Sequence, residues 1–137
     1  MASEQFTRLL KNTEELDLGV TGRISGKTTT RPVWFVLEDG KLYLLPVRGS
    51  DTPWYKNIVK NPAITLGVHG RELNAHAKPI TDREKVANVI AKFRAKYGAG
   101  NIKTYYVKFD VAVELEPAWV AQTARDMEIH SRAPLGK

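Results

Sequence analysis

Residues 21–62, TGRISGKTTTRPVWFVLEDGKLYLLPVRGSDTPWYKNIVKNP, decide the reading of this chain. They hold two hairpin signals and one helix start. Ser25-Gly26 and Asp39-Gly40 are turn dipeptides, because glycine accepts positive φ without steric cost. Between them TTTRPVWFVLE reads as a single strand, continuously apolar from Pro32 to Leu37, as expected where both faces are covered. Pro32 cannot donate a ladder hydrogen bond, which puts it at an edge or a bulge. KLYLLPVRG returns as the next strand. Thr52 then caps a helix, PWYKNIVKN, with Pro53 at its first position. Arg23, Lys27, Arg31, Arg48, Lys56 and Lys60 recur at the connections. Strands that gather cationic loops make a site for a phosphorylated ligand.

Outward from this stretch, SEQFTRLLKNTEEL predicts a short amphipathic helix capped by Ser3, with Phe6, Leu9 and Leu10 on one face. Leu16, Leu18 and Val20 alternate with polar or small residues as a first strand. AITLGVHG and ELNAHAKPI make a hairpin turning at Gly70. Thr81 with Glu84 reads as a capping box for a longer helix. Val86, Val89, Ile90, Phe93 and Tyr97 form its apolar face, and Gly98 stops it. A last strand is predicted from about Thr104 to Glu116, with Tyr105, Val107, Phe109, Val111, Val113 and Leu115 alternating on one side. The sum is six strands and three helices joined by tight turns. That predicts a mainly β (α+β) fold, a six-stranded antiparallel sheet closed into a small barrel with flanking helices. Residues 1–137 read as one domain, with a tail after Trp119 that is either disordered or packed on a partner subunit.

The net charge of +6 favours anionic partners. Nucleic-acid binders string Lys and Arg along a helix or a tail, whereas here the cations are scattered through strands and turns. No apolar run approaches the ~20 residues of a membrane helix, so no membrane partner is expected. The N-terminus does not read as a signal peptide, and the chain has no cysteine; a cytoplasmic location is the expectation. No G-x-S-x-G, phosphate-loop lysine signature or G-x-G-x-x-G occurs. His69 and His76 flank a turn without the spacing or the third ligand of a metal site. Neither a catalytic side chain nor a metal is therefore expected.

Binding chemistry is what the residues offer. Arg23, Ser25, Lys27 and Arg31 surround one hairpin. Arg presents a forked donor to phosphate, Lys a point charge, and Ser25 with the Gly26 amide adds further donors. A solvated basic hairpin that guards a sheet edge is the alternative. The helix start at Thr52 adds unpaired amides and a positive dipole end. Trp54 and Tyr55 stand beside it, either as a flat surface for a planar ring or as core with Ile58. Trp34 and Phe35 alternate faces, so one can line a pocket while the other fills the barrel.

The order of motifs resembles a known family. G-R-x-S-G-x-x-x-x-R, an apolar strand, an Asp-Gly hairpin and W-Y-x-N-x-x-x-N-P are similar to the deazaflavin (F420)-dependent nitroreductases. These lie within the split β-barrel flavin-binding (pyridoxamine 5'-phosphate oxidase-like) group. The likeness runs through Gly22, Arg23, Ser25, Gly26, Arg31, Trp54, Tyr55, Asn57, Asn61 and Pro62, and the strand FDVAVELEP resembles the family's last one. It implies a split barrel, a homodimer, and coenzyme F420, or alternatively FMN, as the bound redox group. Cofactor contacts are implied at Arg23, Ser25, Lys27 and Arg31, at Val47, Arg48, Gly49 and Ser50, and at Trp54, Tyr55 and Asn57. Trp34, Tyr105 and Tyr106 are the substrate-side candidates. The implied activity is hydride transfer to a small unsaturated or nitro-aromatic acceptor. The alternative is a flavin or deazaflavin carrier, storage or sensing protein of the same fold. RGSDTP departs from the Gly-rich, His-Pro sequence that often precedes the family's W-Y pair.

Overall fold

The computed structural model describes residues 8–11 and 13–117. Seven strands form one antiparallel sheet: β1 (Glu15–Thr21), β2 (Thr28–Trp34), β3 (Val36–Glu38), β4 (Lys41–Leu44), β5 (Ala63–Val68), β6 (Arg71–Ile80) and β7 (Ala112–Pro117). Their spatial order is β2-β1-β5-β6-β7-β4-β3. The two edge strands, β2 and β3, are therefore neighbours in sequence, separated by Phe35 alone. One residue cannot span a flat sheet, so the sheet must curl until its edges meet. The result is a half-barrel of the split-barrel class.

This closure corrects the strand count of six. The apolar run expected as one strand breaks at Phe35, whose backbone leaves the ladder and bonds to a side chain. The Phe35 amide donates to the Tyr97 hydroxyl at 3.0 Å, and Tyr97 lies within 2.8 Å of the Phe35 carbonyl and 2.7 Å of the Glu14 carbonyl. Lys96 Nζ donates to the same Phe35 carbonyl at 2.8 Å and stands 3.7 Å above the Phe35 ring. Burial pulls the Lys96 amine below its usual range, the cost of holding an ammonium at this seam.

Both two-residue hairpin turns have left-handed backbone at their central positions. Asp39 and Gly40 have φ of 53° and 79°, His69 and Gly70 of 50° and 81°. This is the turn that matches strand twist. The helices are α1 (Pro53–Lys60), α2 (Arg83–Tyr97) and α3 (Ala99–Tyr105). Residues 8–11 are also helical, while Ser3 and Phe6 of the expected first helix lie outside the described residues. The cap of α2 is Asp82 rather than Thr81, its carboxylate accepting the Lys85 amide at 3.0 Å. Thr52 does precede α1, but its hydroxyl accepts the Arg48 amide at 2.8 Å and makes no cap bond to the helix. The last strand begins at Ala112, not Thr104. Gly98 ends α2 at φ 94°, the chain turns at once into α3, and Tyr105 belongs to that helix. The alternation from Tyr105 to Val111 thus came from a helix end and a loop, and Val107 is exposed.

The core has two parts. Inside the barrel, Leu16, Leu18, Val20, Leu42, Leu44, Ile64, Leu66 and Leu115 pack with Phe35, and α1 plugs one end with Trp54, Tyr55 and Ile58. Outside it, the α2 face of Val86, Val89, Ile90, Phe93 and Tyr97 packs on Val36, Leu45, Ile80 and Ala112. The α2 face follows the 3.6-residue period read from the sequence.

Candidate cofactor and substrate cavity

A cavity of about 340 Å³ opens where the curled sheet leaves β2 unpaired on one side. Its wall includes Arg31, Pro32, Val33 and Trp34 in succession, so the edge of β2 itself borders the space. Across from them stand Leu45, Val47, Trp54, Tyr105 and Tyr106, with Glu15 beside Trp34 on β1. Six of the expected site residues therefore share one space: Arg31, Trp34, Val47, Trp54, Tyr105 and Tyr106.

Trp34 is fixed from behind. Its indole stacks on Tyr97 with centroids 4.3 Å apart and planes 3° from parallel. Tyr105 meets it edge-on at 5.8 Å and Tyr106 lies 6.1 Å away. Trp34 thus lines the cavity while Phe35 fills the barrel. Trp54 does both jobs, being 5% exposed in the barrel core while also facing the cavity. Tyr106 is 5% exposed, yet its hydroxyl has no hydrogen-bond partner among the described residues. No fully buried side-chain polar atom is unpartnered among these residues, so the Tyr106 oxygen keeps some exposure, and Tyr106 is a lining residue of the cavity. Burial, with Tyr97 nearby, raises its phenol well above the usual range and keeps it protonated.

The other expected contacts lie outside this cavity. Arg23 bonds to Asn57: its guanidinium donates to Asn57 Oδ1 at 2.8 Å and its amide at 3.1 Å. The pair ties the β1–β2 loop to α1. Ser25 accepts the Lys27 amide at 3.1 Å, and the Gly26 amide is spent on the Gly22 carbonyl at 3.0 Å, so it is not a free donor. Lys27 and Arg48 are exposed. Tyr55 is buried in the core, and burial, helped by Asp110, raises its phenol. Gly49 and Ser50 form a one-turn 3-10 helix, residues Gly49–Asp51, whose Ser50 amide and hydroxyl both donate to Asp110.

Sequence reading missed Glu15, Pro32, Val33, Leu45 and Asp110. Pro32 and Val33 adjoin Trp34 and were recoverable once β2 was known to be an edge strand. Glu15 faces Trp34 across the β1–β2 register. Asp110 contacts Ser50 across 60 residues of sequence, which no local pattern signals.

An antiparallel sheet curled on itself, with an aromatic cavity at its open edge, defines the split-barrel class. Solved structures share this fold. An F420-H2-dependent reductase is 21% identical with a TM-score of 0.59, the match covering 75% of this chain and 94% of that one. A domain-swapped dimer is 22% identical with a TM-score of 0.60, covering 84% and 96%. HutZ, a heme storage protein from Vibrio cholerae, is 16% identical with a TM-score of 0.65, covering 83% and 88%. No curated protein sequence matches the chain. Its family is nonetheless defined: residues 2–108 match the profile of the F420H2-dependent quinone reductases, and the chain belongs to that family.

The family's reductant is reduced coenzyme F420, and the residues fit such a group. Trp34 and Trp54 give flat apolar walls suited to a planar ring system. Arg31 supplies a cation at the wall. The first turn of α1, which holds Trp54, carries no side-chain cap, so no side chain competes for its amides at the positive dipole end.

Proposed function

We propose that this protein is a reductase that passes a hydride from reduced F420 to a small, flat, unsaturated acceptor bound in the Trp34–Trp54 cavity. Quinones are the leading acceptor class and nitro-aromatics the second. The observation that carries this reading is the unpartnered Tyr106 hydroxyl, set in an aromatic cavity that also holds Arg31. When bound, reduced F420 supplies the hydride. The chain itself needs no nucleophile for this chemistry. Trp34 and Trp54 hold planar partners face to face and exclude water. Arg31 holds an anionic group of the coenzyme through its forked donors. Tyr106, kept protonated, donates a hydrogen bond to the acceptor oxygen as negative charge builds on it. A quinone that gains a hydride needs one further proton to become the hydroquinone, and solvent delivers it through the open mouth.

The test is a fluorescence titration with F420 and, in parallel, with FMN, followed by oxidation of reduced F420 in the presence of menadione or a nitro-aromatic. F420 binding at micromolar concentration with turnover is expected. Binding without turnover of any acceptor would make the protein a carrier, and binding of neither cofactor would discard the reading. Arg31→Ala should weaken F420 binding by about 1–3 kcal/mol while leaving the melting of the free protein unchanged, because Arg31 is exposed.

A further inference from the structure

The segment after α3 carries two cavity residues, Tyr105 and Tyr106, and then grips the turn that leads to two others, Val47 and Trp54. The Val107 amide donates to the Val47 carbonyl at 2.9 Å, and Arg48 and Lys108 form a parallel bridge. Asp110 Oδ1 accepts the Ser50 amide at 2.9 Å, and its Oδ2 takes the Ser50 hydroxyl in a short bond. Lys108 Nζ reaches Asp51 at 3.0 Å and Asp110 at 3.8 Å. Gly49 is built for this contact. Its φ is +55°, and a Cβ there would collide with Asp110 Oδ1. Burial alone would raise the Asp110 carboxyl. The two Ser50 donors and Lys108 outweigh it, so the group is held below the usual carboxylate range and stays ionised.

We infer that Asp110 is a positioning residue for coenzyme binding: by clamping the Gly49–Asp51 turn it sets the gap between Tyr106 and the Val47–Trp54 wall. The inference rests on the F420 reading above. It also reassigns Ser50. Both Ser50 donors are already taken by the carboxylate, so this turn spaces the cavity rather than cradling phosphate. The opposite possibility, that Asp110 occupies an anion site which the coenzyme phosphate must take over, predicts the opposite sign of effect.

The experiment compares F420 affinity of the wild type with Asp110→Ala, Asp110→Asn, Ser50→Ala and the Asp110→Ala/Ser50→Ala double variant, alongside amide hydrogen exchange of residues 48–52 without ligand. Asp110→Ala should raise the dissociation constant about tenfold, the worth of one charge-assisted bond pair. Asp110→Asn should fall between, since it keeps an acceptor for the Ser50 amide. The double variant should lose no more than Asp110→Ala alone, because both changes remove the same bonds. Exchange at the Ser50 amide should speed up in Asp110→Ala with the melting temperature little changed. Unaltered affinity alongside faster exchange would overturn the inference, as would tighter binding, which would mark the carboxylate as a competitor. A wild type that does not bind F420 overturns the proposed function and this inference together. Wild-type binding with an unaffected Asp110→Ala variant overturns this inference alone.

Discussion

The two walls of the cavity are held by different physics. The Trp34 wall is backed by burial. Phe35 is fully buried, Tyr97 stacks flat on the indole, and the hydrogen bonds between the Tyr97 hydroxyl and the Phe35 backbone are buried. The turn that begins the other wall is held by Asp110 and Lys108, whose side chains are partly exposed, through bonds at the surface. A wall fixed by burial shares the cooperativity of the whole fold. A wall fixed by surface polar bonds can open locally at small cost. The contrast suggests a division of labour, with one face of the site rigid and the other adjustable.

The largest expected effect breaks the rigid wall. Phe35→Ala should destabilise the protein by about 3–5 kcal/mol in urea unfolding, because it empties the core where the two sheet edges join. A loss below about 1 kcal/mol would show that the seam is anchored elsewhere.

Tyr97→Phe keeps the stack on Trp34 and removes only the hydroxyl. The Phe35 amide is left without its partner, at an expected cost of about 1–3 kcal/mol. The same hydroxyl gives a pH signature. Burial raises it from 10.0 to about 12, against a lowering by its hydrogen bond to the Phe35 backbone. A phenol whose folded pKa is raised contributes stability that is complete below pH 10 and disappears as pH climbs to about 12. Wild type should therefore lose stability across that alkaline window more steeply than Tyr97→Phe, as measured by chemical unfolding at stepped pH. Equal slopes would remove Tyr97 as the cause.

The smallest effect concerns the adjustable wall. Lys108→Ala removes an exposed ion pair to Asp51, so the melting curve should not move measurably. Exchange of the amides in residues 48–52 should nonetheless quicken, and added salt should quicken it in the wild type too. A large drop in melting temperature would place this turn in the cooperative core and erase the contrast.

Some of this fold was legible because its causes are local. Asp39-Gly40 specified a hairpin by backbone sterics alone, and the five apolar positions of α2 followed helical period. The Arg23–Arg31 hairpin was legible as a basic loop, but not in detail. Arg31 faces the cavity, while Arg23 is committed to Asn57. Both residues carry the same chemistry, and only the path of β2 along the open edge separates them. Tyr105 and Tyr106 line the cavity from a helix end and the loop after it, not from the expected strand, since an alternating pattern does not distinguish the two.

The sequence by itself determined the turns, the amphipathic helix, the strand-rich class and a cationic stretch beside aromatics, because each depends on residues a few positions apart. Only the tertiary structure decided where the apolar run from Pro32 to Leu37 breaks, that the Tyr97 hydroxyl bonds to that break, and that Asp110 grips Ser50. These follow from closing a sheet so that its two edge strands, β2 and β3, meet at one residue. Closure brings together side chains that no period or spacing relates.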